Sequence, residues 1–197
     1  MKSVAIILNS PDETAVITES DIICADGGYR HCPHTPIAVI GDFDSSDAPK
    51  NVNMIRYPKE KDETDGQLAI SFAHSLGYEE VVIYGALGGD IGHVLGNIGL
   101  LSYAESLGIK ALIKEKNSII KKLDGNVREI VGKGNKVSLF PYFGDATVKH
   151  STGLYYPLIG LELKSGTNRG LSNVATDDEI TLDIALGSLL AIIYNAR

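Results

Sequence analysis

The sequence predicts an α/β protein in which an N-terminal, mainly parallel sheet with flanking helices is followed by a C-terminal antiparallel β-sandwich. In the first part, short apolar runs alternate with two helical patterns, as in a parallel sheet built from strand–helix units. Beyond about Lys114, short strand-like runs are separated by Gly, Asn, Asp and Pro, and the helical period is lost. The boundary is expected at 115–117, which gives domains of residues 1–116 and 117–197.

Composition narrows the class of protein and of partner. The chain has 197 residues, 44% of them hydrophobic, which suits one large or two small globular domains. Its formal net charge of -7 argues against nucleic acid or an anionic membrane surface as the main partner. Cys24 and Cys32 are too few for a disulfide framework. Because no apolar run is long enough to span a bilayer or to act as a signal peptide, we expect a cytoplasmic protein.

Acidic side chains follow the second and third predicted strands. The first three strands are expected at Ser3–Leu8, Asp21–Ala25 and Ile37–Ile40. Asp26 follows the second strand, and Asp42 and Asp44 follow the third. Residues two apart on extended chain point the same way, so Asp42 and Asp44 can face one Mg²⁺ ion at the carboxyl edge of the sheet. Taken alone, the segment is better explained as a polar turn; the neighbouring acidic segments favour a site.

The clearest helix start lies at Thr64. A fourth strand is expected at Asn53–Tyr57, and after it Thr64 and Gln67 form a capping-box pattern. The helix ends at Gly77, and its apolar face is formed by Leu68, Ala69, Phe72, Ala73 and Leu76. Asp65 lies in the first turn, where the helix dipole favours an acid and where a carboxylate could equally hold a metal or a reacting group.

A glycine-rich turn, 85–89, follows the strand predicted at Glu80–Tyr84 and leads into a second helix. Such a turn exposes backbone N–H groups to an anion, but its spacing matches neither a Walker A motif nor a GxGxxG fingerprint. The apolar side of the helix is expected at Ile91, Val94, Leu95 and Ile98. His93 and Asn97 share another face, which is either solvated or lines a site.

The C-terminal domain carries two segments of interest. Its strands are expected at Ser118–Leu123, Val127–Val131, Lys136–Phe140, Thr147–His150, Glu179–Ile184 and Ser188–Tyr194. Between them, Tyr155 and Tyr156 are adjacent; one is expected in the core and the other can stack on a flat ligand or a cation. The polar loop 166–173 is either a simple hairpin connection or a binding loop.

Together these segments resemble the thiamine pyrophosphokinase (thiamine diphosphokinase) family. The matching pieces, in family order, are ADGG, IGDFDSS, KDETD, GALGG with His93 and Asn97, SLFPY, GLYYPL and GLSN. The resemblance implies a catalytic α/β domain that binds ATP and Mg²⁺, and a β-sandwich that binds thiamine and dimerises. It also implies transfer of pyrophosphate from ATP to the hydroxyl of thiamine, giving thiamine diphosphate and AMP. The expected assembly is a homodimer with active sites shared between subunits.

The resemblance also implies roles for individual residues. Asp42, Asp44 and Asp65 are expected to be catalytic and to hold the metal. The nucleotide is expected to meet Asp26, Gly27, Lys61, Thr64, Gly88, Gly89, His93 and Asn97. Thiamine is expected to meet Tyr156, Ser172 and Asn173, with its thiazolium cation near the aromatic ring.

Two positions depart from the family pattern. The family usually has Arg where this chain has Asp90, and Asp where it has Gly92. The missing Arg would be expected to meet the phosphates, and the basic side chains considered as its replacement are those of Arg30, Lys59, Lys61 and Arg169. Two alternatives therefore stay open: an Mg²⁺-dependent pyrophosphokinase acting on another alcohol, and a protein that binds thiamine or its diphosphate without catalysis.

Overall fold

The structure, a computed structural model, describes residues 1–11, 14–43 and 51–195. The chain divides into two compact units, Met1–Lys116 and Asn117–Arg197. The first alternates strands and helices, and the second is built from strands. No helix within the described ranges is long and apolar enough to cross a membrane.

The first unit is a parallel sheet made from the apolar runs of the sequence. Its strands are β1 Ser3–Ile7, β2 Ile22–Ala25, β3 Ala38–Gly41, β4 Met54–Arg56, β5 Glu80–Tyr84 and β6 Lys110–Glu115. They pair in parallel in the order β6-β5-β1-β2-β3-β4. The strands β2 and β3 are buried along their whole length, as expected for a parallel sheet covered on both faces.

In the described part of the first unit, two α-helices and one short 3-10 helix connect these strands. The helix α1, Asp65–Ser75, packs against β1, β2 and β3, and α2, Ile91–Ser106, packs against β6 and α1. The 3-10 helix, Asp26–His31, directly follows β2 and was not predicted. It carries Asp26 and the glycine pair, so the ADGG segment is a helical turn at the carboxyl edge of the sheet.

The prediction of the apolar side of α2 is wrong for the first half of the helix. Ile91 is 70% exposed and Leu95 is 64% exposed, whereas the buried residues of this helix are Leu100, Leu101 and Ala104. Only the second half of the helix therefore packs into the unit. Spacing reveals an apolar stripe on a helix, but it does not reveal how far along that stripe the neighbouring elements reach.

The second unit consists of two antiparallel layers that share long strands. Its strands are β7 Ser118–Ile130, β8 Lys136–Pro141, β9 Ala146–Thr152, β10 Leu161–Leu163, β11 Asn173–Val174 and β12 Glu179–Tyr194. β12 pairs with β7 along its length, while β9 lies on the other side of its first half and β8 on the other side of its second half. β10 extends the first layer and β11 the second, and residues of both layers form one core cluster.

The prediction of separate strands at 118–123 and 127–131, and at 179–184 and 188–194, is wrong. Each pair is one continuous strand, β7 or β12. Their mutual pairing shifts register between Ile184 and Leu189, so the residues expected to form turns form a β-bulge. Gly187 has φ +72° in this bulge, and a Cβ there would lie 2.2 Å from the carbonyl oxygen of Asp145. A glycine can thus mark a bend inside a strand as well as its end.

Candidate functional site

The strand order of the first unit places a switch point between β1 and β5. From β1 the chain adds β2, β3 and β4 on one side of the sheet, and then β5 and β6 on the other. In open α/β sheets, ligands bind outside the carboxyl ends of the strands at such a point. The segments that leave the carboxyl ends of β1, β2, β3 and β5 are therefore the first place to look for a site.

The segment after β1 connects the two glycine-containing turns at this edge. A Cβ on Gly27 would lie 2.8 Å from Cγ of Asn9, so the Asn9 side chain packs directly on the turn after β2. Ser10 Oγ donates a hydrogen bond to the carbonyl oxygen of Leu87, 3.2 Å away in the turn after β5. Sequence analysis did not single out Asn9 or Ser10, although their position after the carboxyl end of β1 was a usable signal.

Asp26 and Asp42 lie at neighbouring strand ends. Asp26 has φ +40°, an uncommon backbone conformation for a residue other than glycine. A Cβ on Gly41 would lie 3.1 Å from Oδ1 of Asp26, so this carboxylate rests against the last residue of β3. Asp42 follows directly and is half-buried. Asp44, the third acid of the predicted site, lies outside the described residues.

The first turn of α1 brings Lys61, Thr64 and Asp65 together. Thr64 Oγ1 accepts a hydrogen bond from the Gln67 amide at 3.2 Å, and the Gln67 side chain accepts one from the Thr64 amide at 2.9 Å. This is the predicted capping box, and it fixes the start of the helix. A Cβ on Gly66 would lie 3.3 Å from a methyl carbon of Leu8, so this turn sits beside the end of β1.

Asp65 carries a buried side-chain oxygen that lies beside a lysine. Oδ1 of Asp65 lies 2.8 Å from Nζ of Lys61, and it accepts no hydrogen bond of good geometry within the described part of the chain. A buried carboxylate oxygen that accepts no well-formed hydrogen bond is a suitable ligand for a hard cation. Among residues 1–11, 14–43 and 51–195, no three His, Cys, Asp or Glu side chains group closely enough to hold a metal by themselves. Mg²⁺ sites commonly use only one or two carboxylates with water and phosphate, so the donor set fits.

The glycine-rich turn after β5 is held by side chains from two other elements. One oxygen of the Glu115 carboxylate accepts hydrogen bonds from the amides of Ala86 at 3.0 Å and Leu87 at 3.1 Å. Asn97 Nδ2 donates to the carbonyl oxygen of Ala86 at 2.9 Å. The amides at the start of this turn were expected to face an anion, but they already bind Glu115. Gly88 and Gly89, with φ +108° and +70°, form the part of the turn beyond these contacts.

Sequence analysis did not identify Glu115, because no residue near it in the chain indicates that its carboxylate binds the glycine-rich turn. It is the last residue of β6 and lies 29 positions from Ala86. The structure also separates the roles of the predicted pair on α2. Asn97 turns towards the glycine-rich turn, whereas the His93 side chain is 82% exposed.

The two departures from the family pattern occur together at the start of α2. Asp90 is the N-cap of this helix, and its Oδ1 accepts hydrogen bonds from the amides of Gly92 at 2.9 Å and His93 at 3.3 Å. The hydrogen bond from the His93 amide is the main reason that the pKa of Asp90 is lowered. A Cβ on Gly92 would lie 2.9 Å from this same Oδ1. The absence of a side chain at 92 therefore leaves room for the cap at 90.

In the second unit, the three residues expected to meet thiamine are neighbours. Asn173 is 2% exposed, and its amide group binds the main chain of Tyr156. Ser172, with φ +57°, donates its own amide to Oγ of the buried Ser138 at 3.1 Å. The expectation that one tyrosine lies in the core is wrong, because Tyr155 and Tyr156 are 65% and 62% exposed. Their rings meet edge to face at 4.9 Å.

The candidates for replacing the missing Arg have different surroundings. Lys61 is already paired with Asp65. Arg30 and Lys59, in the first unit, and Arg169, in the second, have exposed side chains.

Both parts of the chain match models of known families. Residues 14–113 match the family described as thiamin pyrophosphokinase, catalytic domain, and residues 123–188 match the family described as thiamin pyrophosphokinase, vitamin B1 binding domain. The chain is 30% identical over 166 residues to a thiamine pyrophosphokinase of Bacillus subtilis (strain 168), covering 80% of this chain and 78% of that protein.

Solved structures agree with the fold. A thiamine pyrophosphokinase from Bacillus subtilis superposes with a TM-score of 0.87 at 24% identity, over 100% of both chains. A thiamin pyrophosphokinase from Geobacillus thermodenitrificans gives 0.83 at 23% identity, over 99% of this chain and 98% of the other. The enzyme from Candida albicans gives 0.77 at 16% identity, over 99% and 89%. These similarities extend the α/β and β-sandwich architecture across bacteria and yeast.

Proposed function

The chain belongs to the thiamine pyrophosphokinase family, and we propose that it transfers pyrophosphate from ATP to the hydroxyl of thiamine, giving thiamine diphosphate and AMP. The observation that carries this proposal is that the catalytic and vitamin B1 binding models match in order, at residues 14–113 and 123–188. It is supported by the acidic segments at the carboxyl edge of the first unit. ATP and thiamine are the substrates.

The polyphosphate is assigned to the switch-point edge of the first unit. Asp26 and Gly27 follow β2 there, and Gly88 and Gly89 follow β5. Attack of an alcohol on the β-phosphorus asks the protein mainly to position the groups and neutralise charge. We assign Thr64, Lys61, His93 and Asn97 to the same nucleotide region. Asn97 would contribute indirectly, by holding the glycine-rich turn through its hydrogen bond to the Ala86 carbonyl oxygen.

Mg²⁺ is assigned to the carboxylates of Asp42, Asp44 and Asp65. These side chains would hold the ion, which would supply positive charge to offset the charge that develops on the AMP leaving group. The support from the structure is the buried Oδ1 of Asp65 beside Lys61 and the half-buried Asp42 at the end of β3. As the alternative to completing the metal site, Asp65 would accept the proton of the thiamine hydroxyl.

Thiamine is assigned to Tyr156 and Ser172 of the second unit, with Asn173 behind them. The thiazolium ring is a permanent cation, and an exposed aromatic face such as that of Tyr156 attracts one. A homodimer with shared active sites, which the family resemblance implies, is part of the proposal. A cytoplasmic location completes it, as expected from a sequence without an apolar run long enough for a signal peptide or a membrane span. Mixing an inactive Asp42→Asn protein with an inactive Tyr156→Ala protein tests the shared site. Regain of activity supports sharing between subunits, and no regain in a proven mixed dimer argues against it.

The deciding experiment is AMP formation by the purified protein from ATP and Mg²⁺, with and without thiamine. The proposal requires thiamine-dependent AMP, matched one for one by thiamine diphosphate. The Asp42→Asn protein is the matched control, since it changes one metal-site oxygen to an amide. AMP formed only with another alcohol would indicate a different acceptor. Tight thiamine binding without AMP would indicate a binding protein that has lost catalysis.

A further inference from the structure

Asn173 binds the main chain of Tyr156 at both ends of that residue. Its Oδ1 accepts a hydrogen bond from the Tyr156 amide at 3.0 Å, and its Nδ2 donates one to the Tyr156 carbonyl oxygen at 2.7 Å. The same Oδ1 accepts a further hydrogen bond from the amide of Val174 at 2.9 Å. We call these three hydrogen bonds the Asn173 clamp.

The Asn173 clamp occupies the side-chain oxygen of Asn173 and one of its two N–H groups. A side-chain amide oxygen has two lone pairs, and the clamp uses both. The residue is 2% exposed and sits in β11, which pairs with β8. The tyrosine ring that it controls is, by contrast, 62% exposed. A buried group therefore fixes the backbone of a residue whose side chain is largely exposed.

A second buried polar side chain acts on the neighbouring loop residue. Ser138 is fully buried in β8, and its Oγ accepts the amide of Ser172 at 3.1 Å. Ser172 is held at φ +57°, which a serine rarely adopts without support. The amide of Leu139 also donates to the carbonyl oxygen of Gly170 at 2.9 Å, so the loop lies directly along β8.

We propose that Asn173 is a positioning residue, which with Ser138 holds Tyr156 and Ser172 ready for thiamine in the free protein. The proposal rests on the proposed function, in which Tyr156 and Ser172 meet the vitamin. Fixing both main-chain groups of Tyr156 in advance removes an ordering cost that binding would otherwise carry. Asn173 thus contributes to thiamine affinity through Tyr156, without touching the vitamin.

A double-mutant cycle on thiamine affinity tests this dependence. Asn173→Ala, Tyr156→Ala and the double variant are compared with wild type by calorimetry. If Asn173 acts through Tyr156, the single Asn173→Ala change weakens binding by about tenfold, and adding it to Tyr156→Ala weakens binding little further. Additive effects of the two changes would overturn the proposal. Asn168→Ala is the matched control, an exposed asparagine of the same loop, and its affinity is expected to equal that of wild type.

Hydrogen exchange in the free protein provides a readout that needs no thiamine. The amides of Tyr156 and Val174 are expected to be protected in wild type and in Asn168→Ala, and to exchange much faster in Asn173→Ala. If the amides of Tyr156 and Val174 exchange as slowly in Asn173→Ala as in wild type, the Asn173 side chain does not hold them, and the proposal is overturned. Loss of protection in that variant, with no thiamine binding by wild type, would instead overturn the proposed function and with it the ligand assigned to this loop.

The Asn173→Asp variant tests the same proposal if the alanine variant fails to fold. The carboxylate can still accept from the two amides, but when ionised it faces the Tyr156 carbonyl oxygen without a proton to donate. Protonation restores that donor, so its thiamine affinity, relative to wild type at each pH, is expected to rise as pH falls. If Asn173 faced thiamine directly, the new negative charge would instead strengthen binding of the cation at neutral pH. That result would overturn the proposal.

Discussion

Replacing Glu115 by alanine is expected to loosen the glycine-rich turn that we propose to bind the nucleotide. The change removes the acceptor of two backbone hydrogen bonds, from Ala86 at 3.0 Å and Leu87 at 3.1 Å. Ala86 is completely buried, so its amide loses its partner without gaining water, whereas the half-buried Leu87 regains part of its hydration. At about 1–3 kcal/mol for each buried donor left unsatisfied, the expected loss of stability is about 2–4 kcal/mol.

Glu115→Gln is the matched control. The glutamine keeps a carbonyl oxygen that can accept from both amides, and it loses only the charge that strengthens these hydrogen bonds. Its expected cost is therefore about 1 kcal/mol. In a chain of this length, 1 kcal/mol corresponds to a shift in Tm of about 2–4 °C. The alanine variant should then melt about 5–15 °C below wild type, and the glutamine variant only a few degrees below it.

Calorimetry together with steady-state kinetics decides the outcome. We expect KM for ATP to rise by about tenfold in the alanine variant, since misplaced binding groups cost affinity, while KM for thiamine changes little. An alanine variant that melts with wild type would refute the reasoning about buried amides. A glutamine variant as damaged as the alanine variant would show that the negative charge, and not the acceptor, is what matters.

Three further predictions concern the same edge of the sheet. Asp42→Asn should lower kcat by about a thousandfold with an unchanged melting curve, reflecting the several kcal/mol that a bound metal supplies; normal turnover with saturating Mg²⁺ would contradict its role. Gly28→Ala should destabilise by about 3 kcal/mol or more, measured by urea unfolding, because its Cβ would lie 2.1 Å from the carbonyl oxygen of Ile7. Asp90→Ala should have a lower Tm than wild type at neutral pH. Because the pKa of Asp90 is lowered in the folded protein from its ordinary value of 3.8, this difference in Tm should begin to shrink as the pH falls below 3.8. It should be lost as the pH falls through the lowered pKa of the folded state. A difference that persists unchanged in acid would contradict the charged cap, and Asp90→Asn should keep most of the stability without this pH dependence.

The parts of the fold that the sequence predicted are those encoded by local patterns. The strands β1, β2, β3 and β5 are short apolar runs, and each was expected within one or two residues of its bounds. The start of α1 was predicted because Thr64 and Gln67 satisfy each other within one turn. The acids after β2 and β3 were recognisable because parallel strands share one carboxyl edge.

The contacts that the sequence did not reveal join distant segments. Glu115 reaches the turn at Ala86, and Asn173 reaches back to Tyr156, seventeen positions earlier. Neither contact has a spacing rule, because its geometry is set by which strands become neighbours. Ser138 had a weak signal, since a serine inside an apolar strand must find a partner if it is buried. A polar residue in a predicted core strand is thus a reasonable place to look for a loop-positioning group.

Asp90 and Gly92 are better understood as one change than as two losses from the family pattern. Oδ1 of Asp90 binds the amides of Gly92 and His93, and a side chain at 92 would begin 2.9 Å from that oxygen. The amides at a helix N-terminus are natural phosphate ligands, and here a carboxylate of the protein already uses two of them. We therefore infer that the triphosphate is held mainly by Gly88, Gly89, nearby cations and the metal, and that the start of α2 contributes rigidity. On this reasoning, restoring Arg at 90 alone would remove the cap without restoring a phosphate site.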